Sequence, residues 1–298
     1  MATDEKASLP HIERTAAEPR DNRLHPVILS QISQVNSSIR LLRLTPVEKE
    51  LIRFQPGQWV DLHIPTLPSP GGFTLTSTPS TSSSYLELAI QRPPPKTTFT
   101  PFTPAHWLWQ PPSQILNTAL AIRTGGSFTW PPPHPSSLKS IKRVVFVAGG
   151  VGINPLMSML SVIAEEKKNT PEGKVGFKIV FLYTVRNSVD SDGRSEDILF
   201  LSRLREIFGI LGEEGDFRLF VTGEEGNEGG LGVDSKSLRV QRRRIEESDL
   251  KDALGESERR EGTVVYVCGV PGMTDRFVEL AGKAEGMDEK RVLSEKWW

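Results

Sequence analysis

Residues 144–155 read VVFVAGGVGINP, and residues 156–160 continue as LMSML. This pattern predicts a buried strand, a tight glycine turn and the start of a helix. Glycine lets the backbone turn sharply and come close to a ligand. A helix N-terminus then presents free N–H groups and a partial positive charge to a phosphate. The stretch therefore predicts a nucleotide-binding corner, with a glycine-rich turn that holds no ligand as the alternative.

The composition excludes several classes of protein and of binding site. A chain of 298 residues is long enough for two domains with their own cores. A net charge of −1 provides no global attraction to nucleic acid or to an anionic membrane. The single cysteine excludes a disulfide framework, a four-cysteine iron–sulfur cluster and a cysteine-rich zinc site. No apolar stretch approaches about 18 residues, so we expect no membrane span.

Residues 1–25 are polar and lack the apolar segment of a secretory signal. Their acidic residues disfavour a mitochondrial presequence, which is usually poor in acids, and leave the compartment open between cytoplasm and mitochondrion. We expect this segment to be a disordered leader.

Residues 26–138 contain short segments in which apolar and polar residues alternate, the period of a half-buried strand. Turn residues, including Pro56-Gly57 and Pro70-Gly71-Gly72, separate these segments. The spacing predicts an antiparallel barrel, with strands at 27–29, 39–44, 59–64, 85–90 and 119–122. A proline-rich run at 131–137 reads as a stiff linker.

In residues 139–298, predicted strands alternate with helical segments. The strands are expected at 143–148, 178–184, 217–222 and 263–268. This alternation predicts a doubly wound parallel sheet with helices on both faces. The basic run Arg242-Arg243-Arg244 reads as a solvated surface rather than a nucleic-acid site.

In such a sheet, ligands bind outside the carboxyl ends of the strands. The glycine corner follows the first strand, where Asn154 suits a helix cap and Pro155 suits the first helical turn. Pro155 also replaces the third glycine of the G-x-G-x-x-G fingerprint. The second strand end, at 183–187, reads equally well as a plain turn.

The other two strand ends carry more specific signals. Glu224 and Glu225 follow the third strand and would repel a 2′-phosphate, which favours NAD(H) over NADP(H). Cys268 ends the fourth strand and Gly269 follows it, so a flat ring has room to approach. A lone cysteine that is merely a small buried residue is the alternative.

The order and spacing of five motifs resemble the ferredoxin–NADP reductase superfamily from about residue 26 to the end of the chain. Two of them are its nucleotide motifs, G-G-x-G-x-x-P at 149–155 and C-G-x-P-x-M at 268–273. The other three are flavin-side segments, at 54–61, 71–77 and 123–128. Residues 71–77 stand where the family has R-x-Y-S-x-x-S.

The resemblance implies a flavin, FAD with FMN as the alternative, bound by the front domain. Phe73 would stack near the isoalloxazine and the Thr74 hydroxyl would lie near its N5, with Leu75 and Thr76 in the same motif. Three residues would approach the flavin phosphates: Gly125, Gly126 and Ser127.

The resemblance also implies a nicotinamide nucleotide bound by the second domain. Its pyrophosphate would lie on Gly149, Gly150, Val151, Gly152, Asn154 and Pro155. Its nicotinamide would lie near Cys268, Gly269, Pro271 and Met273. Glu295 would relay a proton, Trp297 would cover the flavin, and Trp298 would touch the adenine end, with a frayed tail as the alternative for both tryptophans.

The sequence departs from the family at Gly71, where an arginine usually contacts the flavin phosphate; Arg92 or Arg123 would have to substitute. The predicted function is hydride transfer from NAD(P)H to a flavin, with Thr74, Cys268, Glu295 and Trp297 in the reacting region. Electrons would then pass to an unidentified separate protein or small molecule, because the chain lacks cysteines for its own iron–sulfur cluster. A flavin-free nucleotide sensor or scaffold is the alternative. A flavin-independent dehydrogenase is disfavoured, because the front half offers no evident catalytic acid or base.

Overall fold

The computed structural model describes residues 10–48, 51–95, 97, 102–133, 138–187, 189, 195–223 and 239–296. The chain divides into two compact units near Trp130. The sequence places this division a few residues later, at 138/139. Each unit is built on its own six-stranded sheet.

The first unit is an antiparallel barrel. Its strands are β1 (His25–Asn36), β2 (Ile39–Pro46), β3 (Trp59–His63), β4 (Gly71–Thr74), β5 (Leu86–Gln91) and β6 (Ala119–Gly125). They are ordered β4-β3-β6-β1-β2-β5. Leu75 forms an antiparallel bridge with Leu88, and the Thr76 N–H donates to the Glu87 carbonyl at 2.9 Å. These contacts join the two edge strands, so the sheet closes on itself.

The period-two pattern of the strands creates the barrel core. Leu29 of β1 pairs with Leu44 of β2, and both side chains are fully buried. Val27 and Leu42, two residues away on the same strands, are also fully buried, because alternate residues face the same side of a strand. Three short helices accompany the sheet: α1 (His11–Arg14), α2 (Pro104–Leu108) and α3 (Pro112–Ile115).

The prediction of a disordered leader does not hold for residues 10–25. His11 lies in α1 and is buried, and Arg20 forms an antiparallel bridge with Gly125 of β6. Low hydrophobicity suggested disorder, but this segment is fixed by backbone hydrogen bonds and ion pairs rather than by apolar burial.

The second unit is a doubly wound α/β domain. Its strands are β7 (Arg143–Gly149), β8 (Lys178–Arg186), β9 (Gly215–Thr222), β10 (Arg239–Gln241), β11 (Thr263–Cys268) and β12 (Val292–Glu295). Its helices are α4 (Ile153–Asn169), α5 (Leu201–Leu211), α6 (Glu247–Leu254) and α7 (Pro271–Gly282). All strand pairs are parallel, in the order β10-β9-β8-β7-β11-β12.

The strand order reverses at β7, which lies between β8 and β11. A reversal of this kind opens a crevice at the carboxyl edge of the sheet, where ligands bind. An aromatic row crosses the same strands: the Phe146 ring lies 5.4 Å from Phe181 and 5.5 Å from Tyr266, centroid to centroid. The three rings occupy paired positions on β8, β7 and β11.

The predicted fold class, an antiparallel barrel followed by a doubly wound parallel sheet, is confirmed. The strands β4, β10 and β12 were not predicted, because each has only three or four residues. Within the described part of the chain, no helix is long and apolar enough to span a bilayer.

Candidate functional site

The glycine corner connects β7 to α4 through one 3₁₀ turn, Gly150–Gly152. Gly150 has a φ of +53°, which glycine adopts without steric penalty. It is exposed, and no atom lies within 4 Å of the position that a Cβ would take. The corner therefore presents bare backbone to open space beside a helix N-terminus, the arrangement that binds phosphates.

The other two glycines of the corner allow close contact with the end of β11. A Cβ on Gly152 would press on the Cys268 carbonyl and would lie 2.6 Å from the Gly269 nitrogen. A Cβ on Gly149 would lie 2.7 Å from the Met273 sulfur. The two predicted nucleotide motifs, far apart in sequence, thus meet at the point where the strand order reverses.

Cys268 lies at the carboxyl end of β11, in register with Ala148 of β7 and Glu295 of β12. Cys268 and Glu295 are therefore side by side on neighbouring strands. The Cys268 side chain is fully buried. Burial favours a packing position for this thiol over nucleophilic chemistry.

A cavity of about 450 Å³ opens at the carboxyl ends of β8 and β9. Its walls include Thr184, Thr222, Arg244, Ile245, Arg276 and Phe277. This volume lies within the usual range of small-molecule sites. Sequence reasoning did not identify Arg244 and Arg276 as site residues, because they come from separate segments that meet only in the folded chain.

The predicted flavin motif forms β4 and the residues after it. Thr74 is paired with Trp59 of β3 and is almost fully buried, while Phe73 is half-buried and packs against the barrel core. Thr76 donates its hydroxyl hydrogen to the Glu87 carboxylate at 3.0 Å. Part of the Phe73 ring is therefore accessible, as a stacking position requires, whereas the Thr76 hydroxyl is engaged within the barrel.

Gly71 leaves no room for the arginine that the family has at this position. A Cβ on Gly71 would lie 2.7 Å from the Phe73 ring and 2.7 Å from the Pro104 Cβ. The Phe73 ring and Pro104 occupy the space that a larger side chain would need.

Substitution Gly71→Ala is therefore expected to destabilise the barrel by about 1–3 kcal/mol, the usual cost of overpacking. Urea denaturation followed by tryptophan fluorescence measures this loss. Gly209→Ala is the control, because Gly209 is exposed on α5 with no atom near its Cβ position, and alanine favours helix. Equal stability of wild type and Gly71→Ala would contradict the packing described for this strand.

The segment before β1 occupies the edge formed by Gly125, Gly126 and Ser127. The Gly126 N–H donates to the Pro19 carbonyl at 2.9 Å, and the Ser127 hydroxyl donates to the Glu18 carboxylate at 2.6 Å. These donors were expected to approach flavin phosphates. In this structure they hold residues 18–20 of the same chain, and Glu18 adds a negative charge there.

The same segment is anchored on Asp61 of β3, whose side chain is fully buried. Its carboxylate accepts hydrogen bonds from His11 at 2.9 Å, Arg20 at 3.1 Å and Arg123 at 2.7 Å. Burial acts to raise the pKa of Asp61, but the hydrogen bonds from His11 and Arg123 and the charge of Arg20 outweigh it and lower the pKa to about 2. His11 and Arg20 also lie against the Trp59 ring.

Arg92 and Arg123, suggested as substitutes for the family arginine at position 71, both have other partners. Arg123 is engaged by Asp61 through two nitrogens, at 3.0 and 2.7 Å. Arg92 stacks on the Trp109 ring, as does Arg40, whose own pKa is lowered by burial and by the charge of Arg92. The phosphate contact of the family therefore has no direct equivalent among these described residues.

Comparison with known proteins finds a family similar to the second unit. The family model for the oxidoreductase NAD-binding domain matches residues 146–279. This stretch is therefore similar to the oxidoreductase NAD-binding domain family. The match begins within β7 and ends within α7, so it includes the glycine corner and the C-G-x-P-x-M motif.

Whole-chain relatives extend the similarity to the barrel. The oxidoreductase NAD-binding domain-containing protein 1 of Xenopus laevis is 28% identical over 295 residues, covering 97% of this chain and 84% of that protein. The reductase component of propane 2-monooxygenase from Rhodococcus jostii is 26% identical over 270 residues, covering 90% and 62%.

Among solved structures, the flavohem-like FAD/NAD binding domain of Vibrio cholerae nitric oxide dioxygenase has a TM-score of 0.64 at 14% identity. The match covers 91% of this chain and 97% of that one. The fold that the resemblance to the ferredoxin–NADP reductase superfamily implies is thus confirmed.

The second unit brings together the residues of the two predicted nucleotide motifs. Asn154 and Pro155 lie in the first turn of α4, and Pro271 begins α7. Four residues of the sequence predictions, Trp297, Trp298, Glu224 and Glu225, lie outside the described residues, so their roles stay predictions. The sequence did not predict the group of side chains around Asp61. Its one signal was an acidic residue at the centre of an apolar strand.

Proposed function

We propose that the chain is an NAD(P)H-dependent flavoprotein reductase that passes electrons to a separate acceptor. The observation that carries this proposal is the contact between the glycine corner and the end of β11, at the reversal of strand order. The backbone is exposed at Gly150 and closely packed at Gly152. This arrangement suits a dinucleotide pyrophosphate beside the N-terminus of α4.

The chain's own residues would bind and orient the nicotinamide nucleotide. The corner would hold the pyrophosphate through backbone N–H groups, and the end of β11 would face the nicotinamide. Glu295, beside Cys268 on the neighbouring strand, would hold or relay a proton at its carboxylate. The buried thiol of Cys268 would contribute shape rather than act as a nucleophile.

The residues of β4 fit the ring end of a flavin. The Gly125–Ser127 edge does not fit the flavin phosphates while it holds Glu18 and Pro19. Phe73 would hold the ring by stacking, and Thr74 would supply a hydroxyl beside it. A bound flavin supplies the capacity to accept hydride and to release electrons onward. The FAD/NAD binding domain named for the Vibrio protein supports this assignment by its similar fold, with FMN as the alternative to FAD.

Replacement of Thr74 tests the flavin assignment. We expect Thr74→Ala to slow reduction of bound flavin by NADH or NADPH by roughly ten-fold, because one hydrogen bond is lost. Thr74→Ser, which keeps the hydroxyl, should stay within about two-fold of wild type. Anaerobic stopped-flow absorbance at about 450 nm measures the rate of flavin reduction. Equal rates for the serine and alanine variants would remove Thr74 from the reacting region.

A second candidate is a nucleotide-binding protein without flavin, serving as a sensor or scaffold. The specific observation in its favour is the Gly125–Ser127 edge, which holds Glu18 and Pro19 in place of a ligand phosphate. A colourless protein that binds NAD(P)H but neither FAD nor FMN, after reconstitution with excess flavin, would establish this candidate and overturn the reductase.

A further inference from the structure

We propose that residues 18–20, within the segment before β1, block the Gly125–Ser127 edge of the barrel and are displaced when the phosphate of a flavin binds there. The Glu18 carboxylate occupies the position of that phosphate until the ligand binds. This inference rests on the proposed function for the identity of the ligand. It deepens that function by a conformational step that controls access to the flavin site.

The edge offers donors of the kind that bind an anion. The Ser127 hydroxyl donates to the Glu18 carboxylate at 2.6 Å, and the neighbouring Gly126 N–H donates to the Pro19 carbonyl at 2.9 Å. Gly126 has a φ of +102°, a backbone conformation that glycine adopts without steric penalty. A phosphate group presents several strong acceptor oxygens at once. It can therefore replace both of these acceptors.

Residues 18–20 and a ligand cannot use the edge at the same time. Arg20 forms an antiparallel bridge with Gly125, so the backbone of residues 18–20 lies directly against the end of β6. The contact is close, since a Cβ on Gly125 would lie 2.9 Å from the Pro19 carbonyl oxygen. The Gly126 N–H is bonded to that same carbonyl. Binding of a phosphate at these donors thus requires residues 18–20 to move away.

The chain on either side of residues 18–20 is fixed on the barrel. On one side, His11 of α1 is buried and bonds the Asp61 carboxylate at 2.9 Å. On the other side, His25 begins β1 and pairs with Ile122 of β6. Residues 18–20 are therefore tethered close to the edge even when they are displaced, which gives them a high effective concentration as a competitor. Flavin affinity should then depend on the contact that Glu18 makes.

Displacement does not leave Asp61 unpaired. Arg20 connects the displaced residues to Asp61, at 3.1 Å. Two nitrogens of Arg123 bind the same carboxylate independently, at 3.0 and 2.7 Å, and His11 binds it as well. The buried carboxylate therefore keeps its compensation when residues 18–20 move, and the large cost of an unpaired buried charge does not arise.

Fluorescence titration of the purified full chain with FAD, FMN and riboflavin tests the inference, because only riboflavin lacks a phosphate. We expect Glu18→Gln to tighten FAD and FMN about ten-fold and to change riboflavin by less than about two-fold, since the charged contact with Ser127 is lost. Glu13→Gln is the matched control, the same change of charge at an exposed glutamate of α1 rather than on the edge. Hydrogen exchange of the Glu18 and Asp21 N–H groups should become faster when FMN binds.

Equal FMN affinity in wild type and Glu18→Gln, or an equal gain in Glu13→Gln, would overturn the inference. Slower exchange at Glu18 and Asp21 on binding of FMN would do so too. The proposed reductase function is read separately, from reduction of the bound flavin by NADH or NADPH. Bound flavin that displaces residues 18–20 but is not reduced would reject only the reductase. Failure of wild type and Glu18→Gln alike to bind any flavin would reject both.

Discussion

Gly152→Ala is expected to abolish nicotinamide nucleotide binding, with an affinity loss of at least about 100-fold, and to destabilise the second unit by about 1–3 kcal/mol. The added Cβ would meet backbone of Cys268 and Gly269, which has no rotamer by which to move away. The first turn of α4 would have to separate from the end of β11. Its N–H groups would then no longer point to one position, and the phosphate cradle would be lost.

Fluorescence titration with NADH and NADPH measures the affinity, and hydrogen exchange of β7 and β11 measures local stability. Gly272→Ala is a matched control for stability, since Gly272 lies in the first turn of α7 in the same unit and has no atom near its Cβ position. It should leave hydrogen exchange of β7 and β11 unchanged. Wild-type affinity in Gly152→Ala would contradict the role of close backbone packing in the corner.

Asp61→Asn is expected to destabilise the barrel by about 3–5 kcal/mol, because the buried carboxylate that compensates the partly buried guanidinium groups of Arg20 and Arg123 is removed. His11, Arg20 and Arg123 would keep their positions around a neutral amide, and the segment before β1 would lose its anchor. Urea denaturation reports this loss through tryptophan fluorescence, as Trp59, Trp107, Trp109 and Trp130 all lie in the barrel unit. Hydrogen exchange should show faster exchange at residues 18–21.

The low pKa of Asp61, about 2, makes this contribution depend on pH. The folded-state value is below the value of about 4 in an unfolded chain, so the stabilisation is fully present above about pH 4. It is lost as the pH falls from about 4 towards 2. Wild type should therefore lose about 2–3 kcal/mol over this interval relative to Asp61→Asn.

Glu48→Gln serves as the control for Asp61→Asn. The Arg23–Glu48 pair is about half exposed on both sides, and such a surface pair contributes less than about 1 kcal/mol. Similar stability losses for the Glu48 and Asp61 variants would refute the anchoring role of Asp61. An unchanged exchange rate at residues 18–21 in Asp61→Asn would do the same.

The sequence predicted those features that depend on local patterns. The strand and glycine corner at 144–155 combine an apolar run, a turn residue and a helix start, all adjacent in the chain. The end of β11 was likewise predicted from residues that are adjacent in the chain. General rules about parallel sheets then bring the two together at the carboxyl edge, and the structure does so through Gly152 and Cys268.

Features that depend on distant contacts escaped prediction. Asp61 binds His11 and Arg123, which are 50 and 62 residues away in sequence. Composition suggested disorder for residues 10–25 because it counts apolar residues and ignores a buried carboxylate that recruits cations. The strand β4 was hidden by its Gly71-Gly72 pair, since glycine is depleted in strands and this strand is formed by pairing with β3.

The most direct test of the proposed reductase function is anaerobic mixing of the purified protein with NADH and, separately, with NADPH, while the flavin absorbance at about 450 nm is recorded. We expect a preparation that carries flavin, or binds added FAD or FMN, and whose absorbance is bleached by at least one of the two nucleotides. A protein that binds no flavin, or whose bound flavin stays oxidised with both nucleotides, would contradict it.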